Sequence, residues 1–471
     1  MTLAPVSTPS LGPGQVGSPA ESLATARLYR LLDTSEPLIE AAGVVAMTGT
    51  VSGTPVVAFA TDSSVQGGAL GIDGCKAIAE ATDLAVGRGI PVIGIWHSGG
   101  ARLREGVGAL DAVAKVFAAQ TRASGRVPQL SVVLGPAAGG AAYGPALTDV
   151  VILGPEGRVF VTGPDVVRRV TGEDVDMLRL GGPEPHGRRS GVVHVVSDTD
   201  DEALDTAGRL AVLLHAQGLL DLDLPERPDP SRTLPAEARR AYDMRTVVTD
   251  VLDGPGLELQ ANWAPNVLTV LGRLGGRTVG VVANNPLRLG GCLDASSGEK
   301  AARFVRMCDA FGVPLLFMVD VPGYLPGVGQ EWDGVVRRGA KLLHAYAAAS
   351  VPRVTVVVHK SFGGAYIAMG SRGLGADAVF AWPGAQIDVM GASAAVEILS
   401  RRELATLEGE ERAAAVVRLA EAHANETGGL QRAVDGGFVD AVIEPADTRA
   451  AIATAISKVR HVRGINANIP L

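Results

Sequence analysis

Two glycine pairs carry the chemistry that this sequence can do. Gly139 and Gly140 follow an apolar, β-branched run, Leu130–Leu134, that reads as a buried strand bounded by Pro128 and Gly135. A pair of glycines after a strand and before a short helix lets backbone approach a ligand closely. It also leaves unpaired N–H groups at the helix start, aimed at whatever sits there. Such donors suit an oxygen that gains negative charge during a reaction. The same arrangement recurs at Gly363-Gly364-Ala365-Tyr366, after Val351–Val358. Tyr143 stands near the first pair as Tyr366 does near the second.

The recurrence belongs to a longer repeat. Pro128 and Gly140 have the same separation as Pro352 and Gly364. Gly68 and Pro91 likewise match Gly291 and Pro314. From Gly68 to Gly140 the offset between the copies never changes by more than one position. Chance rarely holds a register that long, so the sequence reads as an internal duplication: one α/β domain type used twice, each with its own backbone donor site. The expected organisation is a tail at 1–20, a first domain at 21–230 and a second at 231–471. The boundary lies in the stretch Leu222–Leu234, rich in Pro, Asp and Arg.

The elements needed to position the pairs are legible on either side. Ser22–Leu32 has helical spacing with Ser22 as N-cap, and residues 43–61 read as a hairpin around Ser52-Gly53. Strands are expected at Ile90–Trp96, Val150–Leu153, Arg277–Ala283 and Leu315–Val319. Helices are expected after Gly67-Gly68 to Val86, at Leu110–Ala123, Ala203–Gln217, Gly298–Phe311, Val335–Ala349, Ala392–Leu399 and Glu403–Asn425. Residues 171–194 read as a polar, glycine-rich loop. Its His186, Arg188 and Arg189 are open to two readings, anion contact or solvated surface. Arg337, Arg338 and Lys341 divide in the same way between a solvated face and a contact surface.

Composition narrows the class. Of 471 residues, 47% are apolar and 20% charged, as in a globular protein with ample core material. The net charge of −8 argues against a general nucleic-acid binder. Three cysteines without a CxxC pair give neither a zinc ribbon nor a disulfide framework. Cys75 and Cys308 read as buried structural thiols. No apolar run is long enough to span a membrane, and no signal peptide is evident, so a cytoplasmic location is expected. The literal GxGxxG at Gly12, Gly14 and Gly17 has no preceding strand and contains Pro13, so it does not read as a dinucleotide site. Ser98 is not a nucleophile elbow, because Trp96 stands where that motif needs glycine.

Two backbone donor sites suit a reaction with two developing oxyanions and no nucleophilic side chain or metal. Carboxyl transfer between a biotin ureido ring and an acyl thioester is such a reaction. The sequence resembles the carboxyltransferase β subunits of biotin-dependent acetyl-CoA/propionyl-CoA carboxylases. The stretches that carry the resemblance are GIWHSGGAR (94–102), GPAAGGAAYGPALTD (135–149), FVTGPDVV (160–167), GGPEPHGRRSGVVH (181–194), VANNPLRLGGCLD (282–294), KAARFVRMCDAFGVPLL (300–316), DVPGYLPG (320–327), GAKLLHAYA (339–347), FGGAYIAMGS (362–371), AWPGAQIDVMGA (381–392) and the terminal NIPL.

That resemblance implies two crotonase-like ββα-superhelix domains related by duplication. It assigns Gly139 and Gly140 to the acyl thioester oxygen, and Gly364 and Ala365 to biotin. It places Ile367 in the acyl pocket, where Ile goes with acceptance of acetyl-CoA and Asp with propionyl-CoA. Tyr143, Tyr366, Gly99, Gly100 and Ala101 join as substrate-binding candidates, with Arg102 and Arg126 for the nucleotide end of CoA. It implies no metal, and biotin carried on a separate biotin carboxylase/carrier α subunit, because no biotinyl-lysine motif is present. It further implies a homo-oligomer, either a dimer or a hexamer of stacked dimers, with no nucleic-acid or membrane partner. Two other readings stay open. One is the α chain of a biotin-dependent decarboxylase, running the transfer backward. The other is a non-catalytic scaffold of the same fold. A hydrolase or hydratase would need a placed carboxylate, and Glu105 and Asp149 are the nearest candidates.

Overall fold

The computed structural model describes residues 22–469, apart from 42, 236, 238, 239 and 428. The tail expected at 1–20, with its GxGxxG, lies outside these residues. Two eight-stranded sheets follow one another along the chain. The first contains β1 (Thr34–Ala41), β2 (Val44–Val51), β3 (Thr54–Thr61), β4 (Val92–Ser98), β5 (Gln129–Ala138), β6 (Val150–Leu153), β7 (Arg158–Phe160) and β8 (Val195–Val196). The second contains β9 (Leu257–Leu259), β10 (Val267–Leu274), β11 (Arg277–Asn284), β12 (Leu315–Val321), β13 (Arg353–Phe362), β14 (Ala378–Ala381), β15 (Gln386–Asp388) and β16 (Ala441–Val442).

Their topologies are the same. Strands β1 to β3 pair antiparallel, then β3, β4, β5, β6 and β8 run parallel in that order, with β7 alongside β5. Strands β9 to β16 repeat this arrangement with β15 alongside β13. Helices Ile72–Arg88 and Val107–Ala123 make the crossovers of the first unit, Ala295–Phe311 and Val335–Ala348 those of the second. This is a duplicated α/β fold of the crotonase-like ββα kind.

Each sheet turns a corner at the same place. The β4–β5 register shifts between Trp96 and Ser98, and the β12–β13 register between Val319 and Val321. Below the shift β5 pairs with β6; beyond it, Pro136–Ala138 pair with β7. A bulge bends its strand and re-aims the chain beyond it. In both units that chain leads to a glycine pair, at the C-terminal end of β5 and of β13.

The units share a core and a polar seam. One apolar cluster includes Leu134, Ile152 and Leu210 of the first unit with Phe317, Leu342 and Tyr346 of the second. Across the seam Arg303 donates to the Thr148 carbonyl (3.0 Å), and Gln217 to the Phe311 carbonyl (2.6 Å). The C-terminal tail returns to the first sheet: Asn468 donates to Asp149 (2.6 Å) and accepts from Ser124 (2.7 Å). Among the described residues no helix is long and apolar enough to cross a membrane.

Residues 171–194 depart from the expected loop. They hold a helix, Met177–Gly181, and a π-helical turn, Pro185–Ser190. Gly and Pro disguise this segment, whose order comes from tertiary bonds: His186 Nε2 lies 2.6 Å from the Val159 carbonyl and Nδ1 2.8 Å from Ser190 Oγ. Arg189 pairs with Glu184. The charged helix expected at 403–425 is broken into Arg401–Leu404 and Gly409–Thr427, with Gly409 at φ 53°.

His194 gives the fold a pH dependence. Its Nδ1 accepts from Val151 N (3.1 Å). Burial, with Arg303 and Lys300 nearby, pushes its pKa down to about 3. The native state keeps it neutral, while an unfolded chain protonates it near its ordinary value. Its contribution is therefore present above the unfolded pKa and is lost as pH falls from there toward 3. The expected loss between pH 8 and pH 5 is about 2 kcal/mol from this residue alone. Denaturant unfolding of the wild type and His194→Asn at both pH values checks this. An unchanged pH slope in the variant overturns it.

Candidate functional site

The first pair sits where β5 ends. Gly139 has φ 58° and ψ −125°, a conformation for residues without a Cβ. Its own N–H donates to the Phe160 carbonyl of β7 (3.1 Å). The pair therefore offers not two free donors but one, Gly140 N–H, followed by Ala141 in the first turn of helix Gly140–Ala146. A Cβ on Gly140 would stand 3.0 Å from Val113 Cγ1, so a side chain there would press on the helix behind it.

The loop after β4 lies alongside. Gly99 N donates to the Gly67 carbonyl (3.0 Å), and Gly100 N to Ser98 Oγ (3.2 Å). Gly100, at φ 102°, would place a Cβ 3.0 Å from the Ala138 carbonyl, just before the glycine pair. Ala101 forms a β-bridge with Leu70. Thus Gly99, Gly100, Ala101, Gly139 and Gly140 are brought together. Ser98 is fully buried and serves this loop, as expected for a structural serine.

Two predicted cations stand elsewhere or in other company. Arg102 pairs with Glu105 (3.0 Å) and donates to the Ala69 carbonyl (3.2 Å). Glu105 in turn accepts from Ile72 N (2.6 Å), and that bond lowers its pKa. Arg102 and Glu105 thereby clamp the start of helix Ile72–Arg88. Arg126 precedes the N-terminal end of β5, the whole length of the strand away from Gly139. Asp149 is buried, held by Gln129 N (2.8 Å) and Asn468, and burial raises its pKa. Both carboxylates have structural partners.

The second pair repeats the geometry. Gly363, at φ 59°, follows β13 and opens helix Gly363–Ala368. The first-turn N–H groups of Gly364 and Ala365 have no intrahelical acceptor. By the offset of the duplication, Gly140 corresponds to Gly364 and Tyr143 to Ile367. Both latter side chains are about half exposed, 49% and 47%. Tyr143 packs edge-on against Phe117, with ring centroids 6.3 Å apart.

Beside the second pair opens a cavity of about 520 Å³, lined by Gly363, Gly364, Tyr366, Ile367, Val389 and Phe438 among others. Its size suits a small organic ligand. Tyr366 and Ile367 were legible from their place after Gly-Gly-Ala. Val389 and Phe438 were not, because they reach the wall from the far end of β15 and from a turn just before β16, with no shared spacing. Arg338 and Lys341 face Glu299 on the neighbouring helix. No group of three or more His, Cys, Asp or Glu that could hold a metal exists among the described residues. The thiols Cys75 and Cys308 are buried, and Cys292 is partly so.

Comparison with known proteins agrees in sequence and in structure. Residues 15–463 match the family model described as the carboxyl transferase domain. The β6 subunit of the biotin-dependent acetyl-/propionyl-coenzyme A carboxylase of Mycobacterium tuberculosis is 58% identical over 433 residues, 91% of this chain and 92% of that protein. The propionyl-CoA carboxylase β chain of Rhodococcus erythropolis is 54% identical over 457 residues, 95% of this chain and 96% of that protein. Among solved structures, the hexameric transcarboxylase 12S with methylmalonyl-coenzyme A bound superposes with a TM-score of 0.88 at 39% identity, covering 95% of this chain and 92% of that one.

Proposed function

Since the chain belongs to the carboxyl transferase domain family, we propose that it moves a carboxyl group from carboxybiotin on a separate carrier subunit to the α-carbon of a short acyl-CoA. The observation that carries the reading is the paired geometry: two helix starts, each presenting backbone N–H groups after a glycine pair. Acetyl-CoA would give malonyl-CoA, and propionyl-CoA methylmalonyl-CoA. Residues 21–230 would form the acyl-CoA side and 231–471 the biotin side.

Gly140 N–H would donate to the thioester oxygen as enolate charge builds there: the N–C bond of carboxybiotin breaks, the α-proton passes to the ureido nitrogen so freed, and the carboxyl group forms the new C–C bond at the α-carbon. Gly364 and Ala365 N–H donate to the ureido oxygen of the donor ring. Bound carboxybiotin supplies the activated carboxyl group. Each donor placed on developing charge is worth about 2.7–4 kcal/mol. The 520 Å³ cavity beside Gly364 fits a bicyclic ring together with a short acyl group.

The two sites are presented on one chain with apolar surface around both: Leu103, Val107 and Leu110 near the first, Val328, Trp332 and Val336 near the second. Such surface favours a homo-oligomer that brings the first site of one copy to the second site of another. The biotin carrier subunit is the second partner, and the cytoplasm the location.

The experiment is carboxylation of acetyl-CoA against propionyl-CoA with a biotinylated carrier/carboxylase subunit, ATP and bicarbonate supplied, so that the carrier's biotin is carboxylated. Malonyl-CoA formation comparable to methylmalonyl-CoA is expected. No product from either overturns the reading and favours the decarboxylase or the scaffold. The variant Ile367→Asp is expected to lower kcat/KM for acetyl-CoA about tenfold relative to propionyl-CoA, the scale of one small group in an acyl pocket. An unchanged ratio would remove Ile367 from the pocket.

A further inference from the structure

The duplication exposes a difference between the two corresponding sites. In the first unit Leu70 N donates to the Gly100 carbonyl and Arg102 N to the Leu70 carbonyl, both at 2.8 Å. In the second, Leu293 N donates to the Gly323 carbonyl (3.0 Å) and Leu325 N to the Leu293 carbonyl (2.7 Å). These are the same β-bridge, Leu70–Ala101 and Leu293–Tyr324. Ala101 and Tyr324 therefore hold one position in the fold. Each follows the bulge of the strand next to the one that ends in a glycine pair.

One copy has a methyl group there and the other an aromatic ring. A Cβ on Gly364 would stand 3.9 Å from Tyr324 Cδ2 and Cε2. A Cβ on Gly339 would stand 3.2 Å from the Tyr324 hydroxyl. The half-buried ring thus lies between helix Val335–Ala348 and Gly364, in ordinary contact range of the donor site. At the first site the neighbour of Gly140 is Val113, from the crossover helix. On the loop side of that site Ala101 presents only a methyl group.

We propose that Tyr324 makes the second site selective for a planar ureido ring: it forms the wall on the Gly364 side of that site, against which the ureido ring of the carboxyl donor lies, while Ala101 leaves the first site room for a thioester and its arm. This rests on the assignment of the two sites given above. A flat aromatic face packs a flat ring without restricting its edge, so the ureido oxygen stays free to meet Gly364 and Ala365 N–H. Tyr324 is on this view a positioning residue, because the hydrogen bonds come from the backbone.

The test uses the full chain in the reverse direction, malonyl-CoA-dependent carboxylation of free biotin, with both KM values measured. Tyr324→Ala is expected to raise KM for free biotin about tenfold, the scale of an aromatic contact, and to leave KM for malonyl-CoA unchanged. Tyr324→Phe keeps wild-type values. Tyr324→Leu, which fills the space without the flat face, behaves as Tyr324→Ala and covers the case that the alanine variant folds poorly. Ala101→Tyr does the converse, raising KM for malonyl-CoA alone. An unchanged biotin KM in Tyr324→Leu, or an equal rise in both constants, overturns the proposal and leaves Tyr324 a packing residue. A wild-type chain that transfers no carboxyl group to any acceptor overturns the functional reading itself, and the two failures are thereby distinct.

Discussion

Gly139→Ala is expected to lower kcat for carboxyl transfer by about 10²–10³-fold while the chain still folds. The substitution meets no steric wall: the nearest atom to a new Cβ is the Val161 carbonyl oxygen at 3.9 Å. Its cost lies in the backbone, because φ 58° with ψ −125° is closed to L residues with a Cβ. The chain relieves that strain by turning ψ of Gly139. This torsion orients the peptide whose N–H belongs to Gly140. The donor proposed for the thioester oxygen would swing away, whereas β7 and the helix behind would hold their places. Gly53→Ala is the control. Gly53 sits at the hairpin tip with φ 74° and open space around it, so the variant carries a positive-φ strain remote from the site, with unchanged kcat. Steady-state kinetics of the two variants, with melting curves, decide the matter. Wild-type kcat in Gly139→Ala would mean that the first glycine pair shapes the loop and does not serve the reaction.

The glycine pairs were legible because the signal was doubled. One strand ending in Gly-Gly is common; two at a fixed offset, each after a Val-Pro and a β-branched run, are not. The strand limits were less legible. The apolar run suggests that β5 stops at Leu134, yet it continues to Ala138, because beyond Pro136 it pairs with β7. A partner that arrives only after a further helix and strand leaves no mark on the local pattern. The division of labour within the first pair was hidden for a similar reason. Sequence shows two glycines, but only the fold shows that the Phe160 carbonyl takes the Gly139 N–H. Arg102 shows the opposite case. A cation beside a glycine-rich loop suggests an anionic ligand, and its nearest carboxylate turns out to be Glu105, one turn along the chain. Local charge pairs satisfy an arginine as well as a phosphate does, and sequence alone cannot rank the two.

Lys300→Met is expected to destabilise the chain by about 3 kcal/mol, the upper end of the cost of leaving buried polar groups without their partner. Lys300 is almost wholly buried, and its Nζ donates to four main-chain carbonyls: Val267 (2.7 Å), Gln260 (2.9 Å), Trp263 (3.0 Å) and Ala264 (3.4 Å). An apolar replacement usually offsets the loss of a buried ion when its partners can be replaced too. Here the acceptors are backbone and remain, so methionine leaves several carbonyls desolvated without a donor. The loop they belong to is itself under tension, with Gln260 at φ 53° and Ala264 at φ 46°. It also ties the two units together, since Gln260 N donates to the His194 carbonyl at 2.6 Å. Arg303, one turn along the same helix, holds the Thr148 carbonyl just beyond the helix that starts at Gly140. Loosening Lys300 therefore loosens the seam from the second unit to the first glycine site. Lys341→Met is the comparison. Lys341 pairs with Glu299 at a partly exposed position, where such a bond contributes at most about 1 kcal/mol. Denaturant unfolding of both variants separates the cases. Equal losses would mean that the carbonyl cage is hydrated and that the loop holds its shape without the ammonium. A large loss at Lys300 alone would make one buried amine the pin of the loop that ties the two units together.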